Sequence, residues 1–100
     1  MNIANSWTGV GRFTKEHEVR YGGADNQTAF LRNSIAIDRV TGKDKPKVAD
    51  FINVTFVGNM AETISKYTGK GSLIMVEGEI RTGSYKDKDG KTVYTTDVNV

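Results

Sequence analysis

Residues Ala49 to Ser72 read ADFINVTFVGNMAETISKYTGKGS, and the period of the apolar residues changes at Gly58. Before that glycine the apolar residues alternate, as in a strand whose successive side chains point to opposite faces. Ile52, Val54 and Phe56 make one apolar row; Phe51, Asn53, Thr55 and Val57 make the other. Beyond it Ala61, Ile64 and Tyr67/Thr68 recur at helical spacing, a narrow apolar stripe. Asn59 is the expected cap, with Glu62 reaching back as in a capping box. Gly69 and Gly71 end the helix, with Lys66 and Lys70 near its negative pole. A helix this short does not stand alone and must plug something.

The strand half puts a large ring, Phe51, on a mixed and largely polar face. Two readings are open. The ring packs against a second surface such as a subunit contact, or it is left free to stack on something flat, as nucleic-acid bases do.

Upstream, Trp7 to Phe13 (WTGVGRF) reads as a first strand, with Gly9 and Gly11 marking a bend or a close backbone approach. A lone GxG with no helix after it is weak support for phosphate binding. Glu18 to Tyr21 extends or re-enters that strand, and Gly22 to Gln27 (GGADNQ) is turn chemistry. Thr28 to Arg39 is a second strand. Leu31, Ile35 and Ile37 form its inward row, interrupted by Asn33, while Arg32, Ser34 and Asp38 face the other way. Val40 to Lys47 (VTGKDKPK) is a solvated loop, since Gly42 and Pro46 oppose regular pairing.

Downstream, Leu73 to Ser84 is a fourth strand in which Ile74, Val76, Gly78 and Ile80 share a face opposite Glu77, Glu79 and Arg81. Gly78 suits the strong bend of a small closed barrel. Tyr85 to Lys91 (YKDKDGK) is a hairpin loop with Asp89-Gly90 as its turn, and Thr92 to Val100 is the fifth strand. The expected fold class is therefore all-β with one short helix, placed between strands three and four. That order fits the OB-fold, a five-stranded, partly open Greek-key barrel; a five-stranded sandwich with one helix competes with it.

One hundred residues suit one compact domain with a modest core, which disfavours a large enclosed active site. There are no cysteines, so disulfide staples and thiolate metal sites are excluded, in keeping with a reducing cytoplasm. MNIANSWTGVGR lacks the pattern of a signal peptide, and no stretch approaches the roughly 20 apolar residues of a membrane span. The net charge is only +2, so placement of the cations matters more than their sum. Lys43, Lys45 and Lys47 crowd one loop; Lys86, Lys88 and Lys91 crowd another.

No reactive constellation emerges. His17 is the only histidine, has no nucleophile partner, and reads as a surface residue. Glu77 and Glu79 beside Arg81 read as a solvated strand face rather than an acid–base pair. Asp87 and Asp89 lack the longer ligand series of a calcium loop. The chain is expected to need no metal or cofactor and to catalyse nothing. What remains is cations interleaved with rings: Arg39, Lys43, Lys45 and Lys47 before Phe51, and Arg81 and Lys86 around Tyr85. An unpaired polynucleotide needs that combination, cations for phosphates and rings for bases.

At this point the chain resembles the bacterial-type single-stranded DNA-binding proteins, including those of phages. The resemblance runs through GRFTKEHEVRY (Gly11 to Tyr21), ADFINVTFVGNMAETISKYTGKGSLIMVEGEIRTGSY (Ala49 to Tyr85) and VYTTDV (Val93 to Val98). It implies an OB-fold that assembles as a homotetramer, usually a dimer of dimers, and coats single-stranded DNA without sequence preference in replication, recombination and repair. By position, Phe51 falls on a base-stacking aromatic of the family, and Tyr85 on another in the loop between the last two strands. Val57 departs from an additional aromatic common there, which implies one fewer platform. His17 stands where proline is common. The acidic tail through which members recruit replication and recombination proteins is absent from these residues.

The expected nucleic-acid contacts are Phe51 and Tyr85 on bases and Arg12, Lys15, Arg20, Arg32, Arg39, Lys43, Lys47, Arg81 and Lys86 on phosphates. Trp7 and its apolar neighbours suggest an exposed strand able to pair across a symmetry axis. The alternative is an OB-fold replication accessory or adaptor module in which Phe51 and Tyr85 pack against protein.

Overall fold

A computed structural model describes residues 4–40 and 42–100. The elements are β1 (Trp7–Phe13), β2 (Val19–Gly22), β3 (Thr28–Asp38), β4 (Ala49–Val57), α1 (Asn59–Tyr67), β5 (Leu73–Lys86) and β6 (Thr92–Asn99). The strands form one sheet in the order β1-β5-β6-β4-β3-β2, and β1 also pairs with β3. That last pairing, Arg12 opposite Ala36 and Phe13 opposite Ile35, closes β1, β5, β6, β4 and β3 into a ring. The expected five-stranded barrel is present, and closure rules out the sandwich.

β2 is the re-entrant segment, separated from β1 as a strand of its own that pairs only with β3. Between them the Lys15 carbonyl accepts a hydrogen bond from the Asn33 side chain at 3.0 Å instead of a strand partner. With β2 counted, α1 follows the fourth strand rather than the third, at the place in the chain where the apolar period changed.

The core is built from both halves of the chain. Phe13, Leu31, Ile35, Val54 and Phe56 are fully enclosed, with Ala29, Val76 and Val98 around them. Ala61 is the buried residue of α1, and Ile64 packs beside it, so the helix plugs the barrel as its narrow stripe requires. Two close approaches hold the strands in. A Cβ on Gly11 would lie 2.6 Å from the Ala36 carbonyl oxygen, and one on Gly78 would collide with the main chain of Asn99. Both glycines sit in strands because another backbone occupies the space of a side chain.

Several local expectations are corrected. Gly58, with φ at 72°, is the N-cap of α1, and no side chain caps it. The chain turns one residue before Asn59 because glycine reaches positive φ without strain. Glu62 therefore does not close a capping box; its carboxylate accepts from the Tyr21 hydroxyl at 3.4 Å. The helix stops at Tyr67, ahead of Gly69, because Thr68 is extended and its hydroxyl donates to the Ile64 carbonyl at 2.6 Å.

Tyr85 is not in a loop. β5 runs on to Lys86, paired residue by residue with β6, and the turn is confined to Asp87–Lys91 with Gly90 at φ 78°. Beyond Arg81, whose partner Asp97 is the outermost β6 residue paired with β4, this hairpin leaves the barrel as an arm. The radius of gyration is accordingly 15.4 Å, above the roughly 13 Å of a compact chain this long.

His17 is partly covered rather than free on the surface. Its ring lies edge-on to Phe13 with centroids 4.5 Å apart, between Asn33 and Thr68.

Candidate nucleic-acid interface

Register decides which side chains share the outer face of the barrel, since directly opposite residues point the same way. Across β3 and β4, Ala36 is opposite Phe51, Ser34 opposite Asn53, Arg32 opposite Thr55 and Phe30 opposite Val57. β2 adds Arg20 opposite Phe30. β6 adds Asp97 beside Asn53, and β5 adds Arg81 opposite Asp97. One continuous surface thus carries Arg20, Phe30, Arg32, Phe51, Asn53, Asp97 and Arg81, while Ile52, Val54 and Phe56 point into the barrel. Phe51 is 68 % exposed on this surface, so most of the ring is open to solvent.

Lys15 joins the surface from the segment between β1 and β2. It lines a groove of about 360 Å³ with Glu18, Arg20, Phe30 and Arg32, and a smaller one with Arg32, Asn33 and Asn53. Four of the candidate arginines are held by carboxylates. Arg20 pairs with Glu18 at 3.1 Å, Arg32 with Asp97 at 3.4 Å, Arg81 with Glu79 at 2.5 Å and Arg39 with Asp50 at 2.7 Å. Ion pairs at a solvated surface such as these contribute little net stability. A phosphate can therefore replace the carboxylate at little cost, and the pairs keep the guanidinium groups positioned meanwhile.

Arg39 differs from the others. It grips both oxygens of Asp50, raising its own pKa and lowering that of Asp50 chiefly through the side-chain hydrogen bonds. Asp50 precedes Phe51 and points to the other side of β4, so Arg39 clamps the base of the β3–β4 loop away from the ring. Lys43 and Lys47 are exposed in that loop, and among the described residues neither forms an ion pair. Arg12 lies in register with Ala36, but its guanidinium donates to the Gly71 carbonyl at 3.0 Å. On the arm, Tyr85 follows Arg81 at even spacing and shares its side, whereas Lys86 falls on the other with Thr92.

The sequence reading missed three residues of this face: Phe30, Asn53 and Asp97. Phe30 was legible, since alternation from Leu31 puts it in the row of Arg32 and Ser34. Asn53 was seen beside Phe51 without a role. Asp97 becomes part of the face only through the parallel β4–β6 pairing, which joins strands far apart in the chain. Among the described residues no group of three or more histidines and carboxylates is placed to hold a metal ion.

The surface is a shallow, ring-bearing, cationic sheet, and comparison with known proteins agrees with it. The single-stranded DNA-binding protein of Clostridium perfringens (strain 13 / Type A) is 45 % identical over 91 residues, covering 91 % of this chain and 58 % of that protein. Single-stranded DNA-binding protein 2 of Streptococcus agalactiae serotype III is 42 % identical over 90 residues, covering 89 % and 66 %. The single-stranded DNA-binding protein of Clostridium tetani is 41 % identical over 91 residues, covering 89 % and 61 %. The chain thus spans about three-fifths of the length of these curated relatives. The sequence model of the single-strand binding protein family matches residues 4–100. With strand order, barrel closure and sequence all in agreement, the chain belongs to the single-strand binding protein family.

Proposed function

We propose that this chain binds single-stranded DNA without sequence preference and acts by coating it, in replication, recombination and repair within the cytoplasm. The observation that carries this reading is Phe51, 68 % exposed on a sheet face shared with Arg20, Arg32 and Arg81. Bases would stack on Phe51 and Tyr85 while Lys15, Arg20, Arg32 and Arg81 meet phosphates, with Lys43 and Lys47 reaching from the β3–β4 loop. Binding holds the strand without altering it, so no catalytic step is assigned. No helix among the described residues is long and apolar enough to cross a membrane.

The same proposal includes self-association into a homotetramer built as a dimer of dimers. β1 pairs with β5 along Trp7–Arg12 but with β3 only at Arg12 and Phe13. The other edge of Trp7–Gly11 is therefore open among the described residues, and an open edge is a template for a second copy. Val10, Leu73 and Met75 lie exposed on the outer face of the β1–β5 pair.

The test is titration of labelled oligo(dT), oligo(rU) and duplex DNA at several salt concentrations, with light scattering on the same samples. Tight, salt-sensitive oligo(dT) binding with weak duplex binding is expected. Equal affinity for duplex, or a scattering mass equal to the 11.0 kDa monomer, would remove the corresponding half of the proposal.

A further inference from the structure

Phe30 is a ring on the outer β3–β4 face that the function proposed above does not use. It is 37 % exposed and stands on the outer row of β3, opposite Val57 on one side and Arg20 on the other. A single exposed apolar residue is ordinary and needs no explanation. The surroundings of this one are not ordinary. Its ring lies over Gly22, where a Cβ would come to 3.3 Å from Cε2, so β2 supports one side of it. The rest of the ring faces the groove of about 360 Å³ whose other walls are Lys15, Glu18, Arg20 and Arg32. That volume lies within the roughly 300–1,000 Å³ of small-ligand sites. Three cationic side chains and one carboxylate line it; Arg20 is paired with Glu18 and Arg32 with Asp97, both weakly held surface pairs, while Lys15 forms no ion pair among the described residues.

We propose that Phe30 is a further base-stacking platform, and that the groove beside it holds one nucleotide of the bound strand, with Lys15 and Arg20 on its phosphate. The inference rests on the single-stranded DNA reading and deepens it. A flat apolar ring walled by cations fits a unit that is a flat base at one end and an anion at the other. Phe51 and Phe30 are six residues apart along the β3–β4 pair, about 20 Å at strand rise, so they serve different nucleotides. Effects at that separation should add.

The test measures the anisotropy of labelled oligo(dT) with wild type, Phe30→Leu, Phe51→Ala and the double variant, alongside thermal melting of each. Leucine still covers Gly22 but offers no π face. Phe30→Leu is expected to melt with the wild type and to raise the Kd by about five- to 150-fold, multiplying with the effect of Phe51→Ala. Val57→Phe, directly opposite, should restore affinity to Phe30→Leu. Phe30→Trp should bind as the wild type does and show emission quenched by oligo(dT) beyond any change at Trp7, which is packed against the core. If Phe30→Leu binds as the wild type while Phe51→Ala weakens binding, the inference is overturned and the single-stranded DNA reading stands. Wild-type protein that fails to bind oligo(dT) overturns both.

Discussion

The side-chain amide of Asn33 donates a hydrogen bond to Nδ1 of His17 at 3.1 Å, which assigns that imidazole its tautomer. Oδ1 of Asn33 accepts from the Ser34 amide at 2.7 Å, so its nitrogen must point at the ring. Nδ1 is then an acceptor, and the proton sits on Nε2, 2.8 Å from the Thr68 hydroxyl, which in turn donates to Ile64. A neutral imidazole thus ties the β1–β2 segment and β3 to the end of the helix.

That arrangement makes stability depend on pH. Burial holds His17 below its ordinary value of 6.5, with Glu16 acting as a smaller opposing influence. Near pH 6.5 the unfolded chain takes up the proton more readily than the folded one, so acid favours unfolding. The contribution is present above that pH and is lost as the pH falls below it. Melting followed by circular dichroism between pH 7.5 and 5.5 should show a decline that His17→Asn flattens. An equal decline in both proteins would count against the assignment.

Gly78→Ala should destabilise the barrel without touching the binding face. The added methyl meets the main chain of Asn99, which cannot swing away as a side-chain tip could. Overpacking of this kind costs about 1–3 kcal/mol, read as a lower urea midpoint with an unchanged slope. An unchanged midpoint would mean that the β5–β6 pair gives way locally.

Phe51→Ala should do the reverse. The ring is exposed, so the melting temperature should hold, while oligo(dT) affinity falls by the roughly 1–3 kcal/mol of one stacked base. Wild-type affinity in this variant would take the ring out of the site.

Salt dependence separates cations on the face from those near it. Each neutralised phosphate contributes about −0.7 to the log–log slope for single strands. Lys15→Gln and Arg32→Gln should each make the slope shallower by about that amount. Arg39→Gln should leave it unchanged, because Asp50 holds that guanidinium on the opposite side of β4. A shallower slope for Arg39→Gln would show that the clamp opens on binding.

Much of this was legible along the chain. Alternation over Ala49–Val57 named Val54 and Phe56 as core and Phe51 as outward, and the strand–helix–strand order gave the barrel. Both follow from local periodicity, which the backbone imposes on neighbours. The errors were also local in kind. Asn59 looked like a cap because the φ of Gly58 is invisible in sequence, and Tyr85 looked like loop because its partner, Val93, lies across a turn. His17 looked exposed because its partners are 16 and 51 residues away.

The order of residues by itself determined the inward and outward rows, the place of the helix and the presence of rings and cations for an unpaired strand. Only the tertiary structure decided which of those cations share the outer face with Phe51, that Phe30 and Asp97 join the same face, and that Arg39 does not. The reason is physical: a side chain's direction is set by its own strand, but its neighbours are set by register between strands, and register is a property of the closed barrel.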